Sequence, residues 1–293
     1  MGGIFSGELL INAIAAGILL GGFYAAITLG LSISFGMLDI VNIAHPVFII
    51  LGGYGVFLLN SRTGLDPIVA GLVFAPLFFL IGVGVYQVYY NSFEKWGAES
   101  LRGLVFFFGI LFLIEVALLL TYGVDYRLAR APWIGKTIAI GSLGLSLRLL
   151  FPFLVGVIMT VVLYLYFSRT FLGMMTRGVA QDSSAVRLMG ANPIRIKTIS
   201  FGLSIATTSL AGALIISIGP VEPSLGREFI GRVFAVTVLG GMGSISGTMI
   251  AAMILGVAES LTATLGGPAW GLAVSFGILL VVLAVRPSGL FKR

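Results

Sequence analysis

The chain has 293 residues, of which 58% are hydrophobic and only 10% are charged. A soluble domain usually carries about 25% charged residues, so this composition excludes an ordinary soluble protein and indicates one membrane domain over residues 1–293. The net charge of +6 fits cationic loops beside anionic membrane lipid, and we expect no nucleic-acid binding. With no cysteine and one histidine, the chain cannot form disulfides, thiolate metal sites or multi-histidine sites, and we expect no enzyme activity.

Apolar segments of about 20 residues, the length that crosses a membrane, follow one another along the chain. The uninterrupted ones lie at about 9–35, 42–60, 67–90, 102–121, 149–167, 198–219 and 269–286. Segment 232–265 is too long for one span and is interrupted by a glycine-rich run from Gly240 to Gly247, which predicts two shorter helices around a hinge. The predicted fold is therefore all-α, a polytopic transmembrane bundle of about eight or nine segments with one broken at the glycine run.

The first pair of helices meets at a polar sequence that contains Asn42, His45 and Pro46. Proline suits the first turn of a helix, and Asn42 and His45 are spaced to share a face. We expect the imidazole to be uncharged, because the dipole at a helix start disfavours a cation. Two functions remain open: these residues brace the turn between the helices, which we favour, or they line a gate of the translocation pathway.

A carboxylate, Glu115, lies deep in helix 102–121, and another, Glu259, lies in the helix that follows the glycine run. Carboxylates inside a membrane are costly and usually face a cavity or a polar partner. The sequence leaves the role of Glu115 open. We count Glu259 as a candidate pathway residue, together with Gly240, Gly241 and Gly243 of the glycine run, for which a plain loop is the alternative.

The polar segment 168–197 contains a short helix signal. Asp182 begins it as an N-cap, Ala185, Leu188 and Met189 fall on one face, and Gly190 suits the left-handed residue after a helix. From these residues alone, the apolar face either packs on its own bundle or headgroups, or binds a partner protein.

Charge distribution suggests an orientation. If 168–197 and the C-terminal tail are cytoplasmic, alternation places 91–101 inside and 61–66, 122–148 and 220–231 outside. The inside then carries the larger share of Lys and Arg, as the positive-inside rule requires, although the excess is modest because 122–148 is itself basic.

Nucleotide-binding motifs are absent. Gly135-Lys136-Thr137 resembles the end of a phosphate-binding loop, but Arg130 stands where the earlier glycine is needed. We therefore expect no cofactor in this chain; if ATP drives it, other subunits bind the ATP.

Four motifs resemble the permease subunits of branched-chain amino acid ATP-binding-cassette (ABC) importers. In chain order they are Gly22–Leu31 continuing to Gly36–His45, Arg177–Asp182 continuing to Arg187–Asn192, Ala235–Gly247 with Glu259, and Arg286–Leu290. They occur in the order of that family over nearly the whole chain.

This resemblance implies a permease in a bacterial or archaeal plasma membrane that transports branched-chain or other hydrophobic amino acids. It implies partnership with a second homologous or identical permease, two cytoplasmic ABC ATPase subunits and an extracytoplasmic solute-binding protein, besides membrane lipid. The helix from Asp182 to Gly190 then resembles the coupling helix that docks on the ATPase. The wider family also handles urea and short amides, and an ion-gradient-driven secondary transporter is the alternative from another class.

Overall fold

The computed structural model describes residues 7–97, 100–141, 143–286 and 289–291. Helices account for most of them, as the sequence predicts. The helices are α1 (Gly7–Ser34), α2 (His45–Thr63), α3 (Pro67–Ser92), α4 (Ser100–Tyr122), α5 (Leu147–Arg169), α6 (Phe171–Gln181), α7 (Ser183–Leu188), α8 (Pro193–Ile218), α9 (Leu225–Gly240), α10 (Ile245–Gly266) and α11 (Pro268–Val285). A short 3-10 helix, Glu94–Trp96, follows α3.

Seven of the described helices are long and apolar enough to cross a membrane, namely α1, α3, α4, α5, α8, α10 and α11. The predicted count of eight or nine is therefore not exact. The difference comes from α2 and from α9, which has only 16 residues. The break predicted inside 232–265 is confirmed, because α9 ends at Gly240 and α10 begins at Ile245.

The centre of the bundle is formed by α1 and α8, whose described residues are mostly buried. Small residues allow this packing. A Cβ atom at Gly21 would lie 2.5 Å from Cα of Met253 in α10, and one at Gly82 would lie 2.9 Å from Cα of Gly202 in α8. Because glycine has no side chain, the helix backbones approach closely. The resulting van der Waals packing replaces the hydrophobic driving force, which is absent between helices in lipid.

Three features differ from the sequence prediction. Segment 122–148 contains an antiparallel hairpin, β1 (Thr137–Ile140) with β2 (Leu143–Ser146), paired from Thr137 with Ser146 to Ile140 with Leu143. Segment 168–197 contains α6 in addition to the predicted short helix α7. Helix α9 also begins within the segment 220–231 that was expected to be a loop.

Contacts between helix ends show that these ends form two groups, one at each of two opposite faces of the bundle. On one, the α7 face, Lys197 at the start of α8 binds Glu94 after α3 at 2.5 Å. On the other, the hairpin face, Arg127 forms a backbone bridge with Val221 after α8, and Trp133 donates to Asp66 before α3 at 2.7 Å. These groupings are those that alternation predicts from the sequence.

The C-terminal tail lies on the α7 face. The Leu290 amide donates to the Leu239 carbonyl near the end of α9 at 2.9 Å. Of the predicted tail motif, Pro287 and Ser288 lie outside the described residues, as do the tail cations Lys292 and Arg293.

Candidate functional site

Helix α7 has the caps that the sequence predicts. The Asp182 carboxylate accepts hydrogen bonds from the amides of Ser184 at 2.7 Å and Ala185 at 3.0 Å. Gly190 has a φ of 81°, the left-handed conformation that favours glycine after a helix end. Asn192 caps α8, its side-chain oxygen accepting from the Ile194 amide at 3.0 Å. This six-residue helix is therefore delimited by its own sequence at both ends.

Helix α7 is attached to the bundle by its buried side. Val186 is buried and packs with Val179 of α6 and Ile196 of α8. The residues of the predicted apolar face point away from that contact: Leu188 is 91% exposed, Met189 is 67% exposed, and Ala185 is exposed as well. The apolar face of α7 therefore does not pack on its own bundle.

Helix α6 joins α7 to the membrane helices. Its N-cap is Thr170, whose hydroxyl accepts from the Gly173 amide at 3.1 Å. The hydroxyls of Thr176 and Ser200 are 2.8 Å apart, which ties α6 to α8 inside the bundle. The signal that could have revealed α6 is this cap followed by the buried spacing of Gly173, Thr176 and Val179.

The glycine run forms a tight, packed turn between α9 and α10. Gly241, with φ 84° and ψ 122°, and Gly243, with φ 82°, adopt conformations that side chains disfavour. A Cβ atom at Gly240 would lie 2.7 Å from the backbone of Gly247, and one at Gly243 would lie 2.7 Å from the carbonyl oxygen of Gly36. Backbones therefore approach one another at this turn, and Gly240 and Gly241 are buried.

A cavity of about 170 Å³ lies beside the glycine turn on the α7 face. Arg177 of α6, Phe167 of α5 and Ser244 of the turn contribute to its lining. Helix α6, which carries α7, and the glycine turn therefore line the same cavity.

Asn42 and His45 lie at the junction of α1, α2 and α8. Both side chains are buried. His45 Nε2 lies 3.2 Å from the carbonyl oxygen of Ile27 in α1, so this nitrogen is the donor. A Cβ atom at Gly30 would meet the imidazole and the backbone of Ser204 in α8.

The polar turn before α2 is held by Asn42, whose side-chain oxygen accepts from the Ala44 amide at 3.1 Å. Helix α2 begins at His45 rather than at Asn42, so the two residues are not on consecutive turns of one helix. The Asn42 bond lies within the turn itself, whereas the His45 bond joins the start of α2 to α1.

Replacement of His45 by glutamine is expected to retain substantial uptake, because an amide can still donate to the Ile27 carbonyl. Replacement by leucine removes the donor, and a lost hydrogen bond costs about 1 kcal/mol. The yield of monodisperse protein after detergent extraction should fall for His45→Leu and not for His45→Gln. Uptake that follows imidazole protonation in the wild type, and loses that pH dependence in His45→Gln, would instead assign a gating role.

Each intramembrane carboxylate found in the sequence has an arginine partner on α9. Glu259 accepts from Arg232 Nη2 at 3.0 Å, from the Tyr24 hydroxyl at 2.8 Å and from the Ser275 hydroxyl at 3.4 Å. These contacts join α1, α9, α10 and α11 at one buried point.

Glu115, whose role the sequence leaves open, pairs with Arg227. Arg227 lies in the segment 220–231 that the sequence places outside and Arg232 directly follows it, and the sequence did not indicate that either pairs with a carboxylate. Partners distant in sequence leave no local signal. No group of three or more metal-ligating side chains occurs within the described ranges.

The matches to known proteins fall in one class, the permease proteins of branched-chain amino acid transport. The family model described as branched-chain amino acid transport system permease component matches residues 13–283. The permease protein BraD of the high-affinity branched-chain amino acid transport system of Pseudomonas aeruginosa is 28% identical over 94% of each chain. The corresponding Escherichia coli permease protein LivH is 26% identical over 94% of each chain.

A second permease protein of the Escherichia coli high-affinity branched-chain amino acid transport system, LivM, is 28% identical over 91% of this chain and 67% of its own length. No solved structure gives a significant match.

Proposed function

Because the chain belongs to the family of branched-chain amino acid transport permease components, we propose that it is the membrane-spanning subunit of an ATP-driven importer of branched-chain or other hydrophobic amino acids. The single observation that carries this proposal is α7, a capped helix whose apolar face is turned away from the bundle, with Leu188 91% exposed. Such a face, at the end of a membrane protein opposite the hairpin, suits a groove on a soluble partner.

The partner at α7 is proposed to be a cytoplasmic ABC ATPase. Two ATPase subunits would bind the ATP, consistent with the absence of a phosphate-binding loop from this sequence. Asp182 and Gly190 define the ends of the coupling helix, and Ala185, Leu188 and Met189 form the surface that enters the ATPase. In this proposal the α7 face lies in the cytoplasm and the hairpin face lies outside a bacterial or archaeal plasma membrane.

A second permease is proposed to complete the pathway. LivH and LivM are both permease proteins of the Escherichia coli high-affinity branched-chain amino acid transport system. This chain matches LivH over nearly its full length and LivM over two thirds of it. We therefore favour pairing with a homologous permease over pairing with an identical one, and delivery of solute by a binding protein on the hairpin face.

An ion-gradient-driven transporter is disfavoured by the ion pairs. Such a transporter would use Glu115 or Glu259 as a site for a proton or sodium ion, whereas an arginine binds each of them. A guanidinium beside a carboxylate competes with a cation for the same oxygens.

Cysteine labelling tests the orientation. The chain has no native cysteine, and Ser184 in α7 and Ser61 at the end of α2 are both exposed, on opposite faces. A membrane-impermeant maleimide should label Ser61→Cys in intact cells and Ser184→Cys only in inside-out vesicles. Each variant is the positive control for maleimide reactivity on the side of the membrane from which the other variant is not labelled.

Labelling of Ser184→Cys from outside intact cells would overturn the orientation and the coupling proposal together. The importer itself is tested by purifying the complex and measuring uptake of radiolabelled leucine into proteoliposomes. Uptake should require ATP and survive collapse of the proton and sodium gradients.

A further inference from the structure

The cavity beside the glycine turn adjoins a groove between α5 and α10. The groove encloses about 330 Å³. It shares Tyr164 and Ser246 with the cavity, so the two spaces meet at these two residues. We call the first space, which Arg177 and Ser244 line, the polar cavity, and the second, which Val161 and other apolar residues line, the apolar groove.

The apolar groove suits a hydrocarbon chain. Its walls include Val161 and Leu165 of α5 and Ile250 of α10, all of them exposed. The buried Thr160 also lines it, but its hydroxyl donates to the Gly156 carbonyl at 2.7 Å within α5 and is therefore not free to donate elsewhere. Because both helices are long and apolar enough to cross a membrane, their exposed apolar side chains face lipid.

The apolar groove lies apart from the side where a second permease is expected. A charged side chain that is exposed between membrane helices faces a water-filled pathway or a protein partner. Arg227 of α9 is 54% exposed and pairs with Glu115 of α4, so these two helices mark that side of the bundle. Neither helix contributes to the groove.

The polar cavity contains a cation without a partner. Within the described ranges, Arg177 of α6 has no carboxylate at ion-pair distance and no hydrogen-bond acceptor, and no carboxylate lines the cavity. The Ser244 hydroxyl accepts from the Gly247 amide at 3.1 Å, which leaves its own hydrogen free to donate. The cavity therefore offers a positive charge and a hydroxyl donor, which is the chemistry that binds an anion.

Several side chains place this cavity at the depth of the lipid headgroups. Tyr164, near the end of α5, is 42% exposed, and exposed tyrosines are typical of the boundary between membrane and water. Helix α6 follows α5 directly, and its apolar residues Phe171 and Met174 are 66% and 47% exposed. A short helix with exposed apolar residues beside a membrane helix suits the boundary between headgroups and acyl chains.

We propose that the polar cavity and the apolar groove together bind one anionic phospholipid, with its phosphate on Arg177 and Ser244 and an acyl chain between α5 and α10. Planar guanidinium groups match phosphate geometry, and basic pockets between membrane helices on the cytoplasmic side bind anionic headgroups. The assignment to the cytoplasmic leaflet rests on the orientation given under the proposed function, whereas the site itself goes beyond that function.

A bound phosphate would join two elements that are otherwise separated by the cavity. Arg177 belongs to α6, which carries α7, and Ser244 is the N-cap of α10. The lipid would therefore link the segment that bears α7 to the start of α10 beside the glycine turn. Because a ligand that binds only the folded state stabilises it, added phosphatidylglycerol should raise the melting temperature of the purified protein.

Native mass spectrometry of the delipidated, full-length chain in detergent tests the site. Dioleoyl phosphatidylglycerol and dioleoyl phosphatidylcholine are titrated separately, so that only the headgroup differs. The wild type should bind the anionic lipid more tightly. Arg177→Gln should lower the affinity for phosphatidylglycerol roughly fivefold, the loss expected for one cation near a headgroup, and leave that for phosphatidylcholine nearly unchanged.

Three variants serve as controls. Arg169→Gln removes the same charge from the end of α5, but Arg169 does not line the polar cavity, so the affinity should stay at the wild-type value. Arg177→Lys keeps the charge and should retain most of the binding. Ser246→Phe adds a ring where the cavity meets the groove and should weaken phosphatidylglycerol binding although Arg177 remains. Melting curves recorded without added lipid confirm that each variant is folded.

Equal affinity for phosphatidylglycerol in the wild type and in folded Arg177→Gln would overturn the proposal, as would an equal loss in Arg169→Gln. If glycerol phosphate, which lacks acyl chains, displaced the lipid at similar concentration, the cavity would be a site for a free anion instead. Loss of the ATPase from Arg177→Gln with unchanged lipid binding would assign this arginine to the ATPase and also overturn the proposal. These titrations contain neither ATP nor solute, so their failure is distinct from a failure of the proposed function in the uptake assay.

Discussion

Leu188→Asp is expected to reduce ATP-driven uptake by at least roughly tenfold while the permease still inserts in the membrane. The side chain is 91% exposed and makes no contribution to the packed cluster that holds α7. Its removal therefore spares the bundle, whereas an unpaired carboxylate in an apolar socket is strongly unfavourable. A loss of about 1.4 kcal/mol in docking energy is already a tenfold change. The measurement is leucine uptake together with recovery of the ATPase on the purified permease.

Two further variants serve as controls for Leu188→Asp. Leu188→Met keeps the apolar surface and should transport normally. Val186→Asp places the charge among Val179 and Ile196 instead, so it should destabilise the α7 segment itself and lower the yield of folded protein. If Leu188→Asp transports normally with the ATPase bound, α7 is not the coupling surface.

Glu259→Leu is expected to cost about 3–5 kcal/mol of stability, because it leaves Arg232 buried without its partner. The two side chains are 11% and 16% exposed, so water cannot replace the lost interaction. The Tyr24 hydroxyl loses its acceptor in the same step. The melting temperature of the purified protein should fall sharply, and the double variant Arg232→Met/Glu259→Leu should recover part of the loss, since both charges are then absent.

The other ion pair on α9 provides the control. Arg227 is 54% exposed, whereas its partner Glu115 is buried, so Glu115→Leu leaves a cation that water can still solvate and should cost less than Glu259→Leu. Equal losses would show that burial does not govern these pairs. Uptake that requires a proton gradient and disappears in a fully folded Glu259→Gln variant would favour the ion-coupled alternative.

Local signals in the sequence predicted the parts of the candidate site that depend on neighbouring residues. Asp182, Gly190 and Asn192 act within a few residues along the chain, through side-chain caps and a left-handed backbone. The glycine run predicted the break between α9 and α10 for the same reason. The hairpin and α6 were missed because short amphipathic elements carry few residues with which to establish a period.

The sequence by itself determined that this is a helical membrane protein, because its apolar segments are long enough to cross a membrane and too apolar to face water. It also determined where α7 begins and ends. Only the tertiary structure decided which way α7 faces, that Glu259 pairs with Arg232 across α10 and α9, and that Arg177 and Ser244 line one cavity. Those relations join residues far apart in the chain, and they arise from how bare glycines let the helices pack, which no local pattern encodes.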